Sequence, residues 1–169
     1  RRDDPGHLRE LLPCGTRSEG RGKRRDGQAV RGWTLWATVG VPDVAAARGA
    51  YAALGFRPAW EGRLPAAAAE RWGAPASGGR AAAILAPPGR GGGVRLVGTD
   101  SPVAPALGSL GWAALELASN DLPQMRRRLA AGGFRLLGDI APLGSNPSIC
   151  ALQAAGEAGE AVYVADLSA

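Results

Sequence analysis

One feature narrows what this chain can fold into before any other: a fourteen-residue stretch occurs twice. Asp43 to Phe56 and Asp121 to Phe134 agree at Asp43/Asp121, Arg48/Arg126, Ala52/Ala130, Ala53/Ala131, Gly55/Gly133 and Phe56/Phe134, and Arg57/Arg135 extends the match. Their apolar positions share a register, with Val44, Ala47, Tyr51 and Leu54 in one copy and Leu122, Met125 and Leu129 in the other. That spacing is helical, with an aspartate placed to cap the start and a glycine just past the end. Each copy follows an alternating apolar run and leads into another. The expected architecture is therefore a strand–helix–strands unit used twice.

Along the rest of the chain, turn-forming residues separate strand-like runs. In the first half, strands are expected at Trp33–Val41, Arg57–Glu61, Arg80–Leu85 and Val94–Val97, with a short helix over Leu64–Trp72 and a loop from Gly73 to Gly79. In the second half they are expected at Gly111–Ala118, Arg135–Ile140, Ile149–Ala154 and Ala161–Leu167, with a hairpin turn at Gly156–Gly159. Both halves read β-α-β-β-β. The fold class is α+β. Residues 1–31 form a basic, disordered tail, 32–99 the first module, 100–110 a linker with Pro102 and Pro105, and 111–169 the second module.

The net charge of +5 is concentrated in the tail, where residues 1–31 carry nine Lys/Arg against five Asp/Glu. Nucleic acid is thus a candidate partner only through that tail, at the Arg21–Arg25 cluster, and a solvated extension is the favoured reading. No apolar run is long enough to span a membrane, and no signal-peptide pattern opens the chain. The two cysteines, Cys14 and Cys150, lie far apart in sequence, so a disulfide framework is not expected and a cytoplasmic setting is the default. Without a partner histidine, Cys150 is a poor candidate nucleophile. Gly91–Gly93 precedes a strand and has no following Lys-Ser/Thr, so it reads as a hairpin turn rather than a phosphate loop.

The doubled βαβββ unit resembles the vicinal oxygen chelate superfamily, which includes glyoxalase I, extradiol dioxygenases and bleomycin-resistance proteins. Three stretches carry the resemblance: Tyr51-Ala-Ala-Leu-Gly-Phe56, Gly93-Val-Arg-Leu-Val97 and Ala161-Val-Tyr-Val-Ala-Asp166, within one glyoxalase-like domain over residues 32–169. The resemblance implies that each module curls its strands into a half-barrel and that the pair encloses a cavity. It also implies a divalent metal held by ligands on the first and last strands of each module. Those positions fall here on Trp36, Trp112, Arg95 and Tyr163. Indole, guanidinium and neutral phenol are not metal donors, and the one histidine, His7, lies in the tail. No metal and no other cofactor is therefore expected.

Strand alternation then fills the implied cavity. Trp36 and Thr38 share a face, as do Trp112 and Glu116, with Arg95 and Tyr163 contributed by the fourth strands. The expected site is an aromatic box of Trp36, Trp112 and Tyr163, with Arg95, Glu116 and Thr38 as its polar groups. The tryptophans would stack on a planar or apolar ligand, and Arg95 would pair with its anionic group. Three functions follow, in order. The first is binding of a small organic ligand without chemistry. The second is a metal-independent lyase or isomerase acting next to a carbonyl, with Glu116 as base and Tyr163 donating to the developing oxyanion. The third is an interaction domain in which the tryptophans fill a closed core and Arg95 and Glu116 neutralise each other. A homodimer is compatible with all three. Glu61, Arg63, Glu70 and Arg80 read as a cavity rim or, more often, a solvated face, and Trp60 and Trp72 as a lid over the pocket or, by preference, ordinary packing.

Overall fold

The structure, a computed structural model, describes residues 36–89, 92–104, 108, 114–144 and 146–166. The tail, Trp112 and the starts of both modules lie outside the described residues. The first module runs β1 (Trp36–Val41), α1 (Val44–Ala53), β2 (Arg57–Arg63), α2 (Ala66–Arg71), a 3-10 turn (Pro75–Ser77), β3 (Ala81–Ala86) and β4 (Gly93–Gly98). The second runs β5 (Ala114–Ala118), α3 (Leu122–Ala131), β6 (Arg135–Leu136), β7 (Ala141–Leu143), β8 (Asn146–Ala155) and β9 (Ala161–Ala165). The sheets have matching strand orders, β1-β4-β3-β2 and β5-β9-β8-β6, with β7 pairing on β8. In each, the first and last strands of the module pair parallel and the other pairings are antiparallel.

The repeated stretch builds the same helix twice, and the reasons are local. Asp43 Oδ1 accepts from the amides of Ala45 (2.8 Å) and Ala46 (3.1 Å), and Asp121 Oδ1 accepts from that of Gln124 (2.8 Å). Each satisfies donors that a helix start leaves without partners. The helices end at Gly55 (φ +96°) and Gly133 (φ +82°), in the left-handed region where a side chain is strained. The amides of Phe56 and Phe134 then return to the carbonyls of Tyr51 and Leu129. The repeat also carries an ion pair that the sequence reading did not identify. Arg48 Nη1 donates to Glu61 Oε1 at 2.7 Å, and Arg126 Nη2 to Asp139 Oδ1 at 2.9 Å. Both pairs span thirteen residues and join a helix to the segment that follows it. Glu61 is thus a partner of α1 as well as an exposed residue.

Two boundaries differ from expectation. The helix expected over Leu64–Trp72 is shorter at both ends, because Leu64 leaves it to hydrogen-bond with Arg80 and Gly79. The strand expected over Arg135–Ile140 breaks into β6 and β7, with Gly138 and Asp139 in the gap. Asp139 is drawn toward Arg126 rather than kept in the ladder.

The halves share one core. Val39, Leu85 and Leu96 of the first sheet and Leu152, Val162 and Val164 of the second pack with Tyr51, Leu54 and Leu129 of the helices in one apolar cluster. Tyr51 meets Phe56 and Phe134, the two repeat-related phenylalanines, edge-on at 5.7 and 5.6 Å between ring centres. The main contact between the halves is α1 against α3. Gly132 permits it: a Cβ there would stand 2.7 Å from the Ala50 carbonyl oxygen.

Candidate functional site

Because strand residues alternate, the core claims one face of each sheet and leaves the other. Val39 and Val41 of β1 point into the core, while Trp36 and Thr38 take the opposite face. Register then aligns a row across the first sheet: Thr38 pairs with Arg95, Arg95 with Ile84, and Ile84 with Trp60. Thr38 and Arg95 are thus neighbours on one face.

The segment between β2 and β3 folds over part of this face. Leu64 and Ala69 pack on Ala82 and Val97, with Ala68 and Trp72 against them, forming a second, smaller apolar cluster. Trp72 follows the last turn of α2, and the Arg95 guanidinium carbon lies 4.4 Å from the centre of its ring. The same carbon lies 5.4 Å from the centre of the Trp36 ring. Both distances fall within the reach of a cation–π contact. Trp36 itself lies across Gly93, its register partner, where any Cβ would overlap the indole. Trp36 and Trp60 remain 36% and 37% exposed.

Among the described residues, Arg95 has no ion pair; the three that form are Arg48–Glu61, Arg80–Asp100 and Arg126–Asp139. Partial burial pushes its pKa below the ordinary arginine value. An arginine so placed stays charged at neutral pH, so the face presents a cation with aromatic neighbours and, among the described residues, no countercharge. Trp72, read from sequence as ordinary packing, both packs and covers Arg95. A preceding helix gave no signal for that second contact.

The second sheet presents a different row. Glu116 pairs in register with Tyr163, and Tyr163 with Gln153. Leu115, Leu117, Val162 and Val164 take the core side, leaving those three residues on the other face, with Glu116 exposed and Tyr163 half-buried. Gln153 was not singled out from the sequence; its place beside Tyr163 depends on strand register. Thr38, Trp36 and Arg95 stand on the first sheet and Glu116 and Tyr163 on the second, each on the face opposite the shared core. Among the described residues, Arg95 and Glu116 form no ion pair with each other. Cys150 is disulfide-bonded, which corrects the expectation of unpaired cysteines and removes it as a nucleophile.

No protein-family model and no curated protein sequence matches the chain. Solved structures do. A glyoxalase family protein from Bacillus cereus superposes with a TM-score of 0.56 at 17% identity, covering 85% of this chain and 97% of that one. A glyoxalase/bleomycin resistance protein/dioxygenase superfamily member from Sphaerobacter thermophilus gives 0.55 at 16% identity, over 79% of this chain and 96% of that one. A mutant of glyoxalase I from Zea mays gives 0.60 at 15% identity, over 80% of this chain and 46% of that one. The fold is that of the vicinal oxygen chelate superfamily.

The metal implied by that fold can be tested against the side chains in place. Arg95 brings a positive charge and Trp36 an indole without a free lone pair, while Tyr163 is a half-buried phenol beside Glu116. Among the described residues, no three His, Cys, Asp or Glu side chains cluster so as to hold a metal ion. The donor set does not fit the superfamily's metal. No described helix is long and apolar enough to cross a membrane.

Proposed function

We propose that this chain binds a small organic anion with a flat or apolar body on the open face of the first sheet. The observation that carries the reading is the Arg95 guanidinium, set against Trp72 and Trp36 without a carboxylate among the described residues. Arg95 would take the anionic group through its N–H edge, and Trp36 and Trp60 would cover the apolar body. Thr38, in register with Arg95, would add a hydroxyl. Nothing in this reading calls on a metal. Trp112, the other tryptophan expected in the site, lies outside the described residues.

Glu116 is exposed and, among the described residues, forms no ion pair, so the geometry gives proton abstraction next to a carbonyl no support beyond the presence of a carboxylate. Binding is therefore preferred to turnover. A second copy of the chain would find open sheet edges to meet. Among the described residues, β1 pairs only with β4 and β5 only with β9, leaving both sheets with an open edge.

The test is a titration followed by tryptophan fluorescence and calorimetry, using aromatic and aliphatic carboxylates and their neutral amides. Carboxylates should bind and amides should not, and Arg95→Gln should abolish the difference. Equal binding of acid and amide, or no binding of any carboxylate, would overturn the proposal. Product formation that is lost in Glu116→Gln would replace it with the lyase or isomerase reading.

A further inference from the structure

The seam between the halves holds a carboxyl group that the open face does not use. Glu160, just before β9, accepts a hydrogen bond at Oε1 from the Tyr51 hydroxyl at 3.1 Å. That contact ties α1 of the first module to the β8–β9 hairpin of the second. The other carboxyl oxygen, Oε2, is buried and has no hydrogen-bond partner among the described residues. The hairpin is shaped around the group, because a Cβ on Gly156 would overlap the Glu160 carboxyl. On the other side, Tyr51 is fixed between Phe56 and Phe134 and cannot swing its hydroxyl away.

A cavity of about 30 Å³ lies alongside, lined by Tyr51, Glu160, Phe134 and Gly156 together with Asp43 and Glu157. It has room for one water. Among the described residues, the charged groups that line this cavity with Glu160 are acidic, Glu157 on its own hairpin and Asp43 at the start of α1, while Arg135 of β6 lines the adjoining pocket on the other side of Gly156 and Glu157. Burial raises the Glu160 pKa and the Glu157 charge adds to the rise, outweighing hydrogen bonds from Tyr51 and two backbone amides that act the other way. Tyr51 is raised by burial first and by Glu160 second, so it remains a protonated donor.

We infer that Glu160 is a proton-binding residue of the module seam, joining the two halves tightly when its carboxyl is neutral and loosening them as it ionises. A carboxyl whose folded pKa lies above its unfolded value binds more protons when folded. Its contribution is therefore fully present below the ordinary carboxyl range and is lost as pH rises through the folded pKa. The usual acid loss of paired carboxylates runs the opposite way, so the two trends can be told apart.

The experiment measures thermal unfolding of the full chain from about pH 4 to about pH 8, beside Glu160→Gln, which keeps the Tyr51 hydrogen bond without a charge. Wild type should fall progressively below the glutamine variant as pH rises, and the gap should level off above the Glu160 midpoint. A carbon-13 NMR titration of the Glu160 carboxyl should place that midpoint above 4.5, the ordinary glutamate value. Tyr51→Phe should move it higher still, by removing a bond that favours the anion. Parallel melting curves for wild type and Glu160→Gln, or an NMR midpoint at or below the ordinary value, would overturn the inference. The NMR result decides even if a variant does not fold.

Discussion

Arg95→Met separates a residue kept for binding from one kept for stability. Two aromatic contacts are lost, at 4.4 and 5.4 Å. Contacts of this kind contribute about 0.5–2 kcal/mol each, and the longer distance puts the pair at roughly 1.5 kcal/mol together. Two gains work against that loss. The half-buried guanidinium has no countercharge among the described residues, so its removal relieves a desolvation cost. The thioether that replaces it packs against the same two indoles, at about 0.3–1.5 kcal/mol for a sulfur–aromatic contact. The net change in stability should lie within about 1 kcal/mol, or about 3 °C in Tm for a chain of this size. Affinity should respond very differently. Hydrogen bonds to a charged group are worth about 1.5–3 kcal/mol, so carboxylate binding should weaken by roughly 10- to 150-fold. Urea unfolding measures the first quantity and calorimetric titration the second. A loss of about 3 kcal/mol or more in stability would make Arg95 a structural residue and refute the reasoning, as would unchanged carboxylate affinity.

Four further outcomes follow from the geometry. Gly132→Ala should destabilise by about 1–3 kcal/mol in urea unfolding, because the new Cβ meets the Ala50 carbonyl where the helices cross. Gly133→Ala has open space and should show only the backbone cost of its positive φ, about 1–2 kcal/mol. A double-mutant cycle on Arg126 and Asp139 should give a coupling of only about 0.2–1 kcal/mol that shrinks with added salt, since both side chains are exposed. Gly93→Ala should displace the Trp36 ring and shift its fluorescence, with weaker ligand binding and little loss of secondary structure by circular dichroism.

The fold was largely legible because its signals are local. An aspartate before a helical apolar register and a glycine after it specify each helix, and repetition specifies the architecture. Alternation also placed Thr38 on one face of β1 with Trp36, because face is a property of parity; Glu116, expected to line the cavity, is exposed. What alternation does not encode is whether faces from different sheets converge. Parity therefore yields one row on each sheet, while the halves join through α1 and α3. The contact of Trp72 with Arg95 depends on how α2 lies on the sheet, and no periodicity reports that. Arg135–Ile140 read as one strand because its apolar content suffices, whereas its break depends on Asp139 reaching Arg126 in space. The Tyr51–Glu160 bond joins residues 109 apart in sequence and left no local trace.

The repeat also divides the chain's residues by how far the two copies have drifted. Asp43/Asp121, Arg48/Arg126, Gly55/Gly133, Phe56/Phe134 and the acidic pair Glu61/Asp139 recur with the same or similar chemistry, and each caps, closes or braces a helix. On the outer faces the correspondence fails: Thr38 answers to Glu116, and Arg95 to Tyr163. A duplicated half that supplies its own bracing leaves its outer surface free to vary without cost to its twin. One half has gained the α2 cover over its sheet, while the other carries a short carboxylate–phenol–amide row. Such a chain offers two separately braced outer surfaces on a single scaffold, and a substitution on one would leave the other intact.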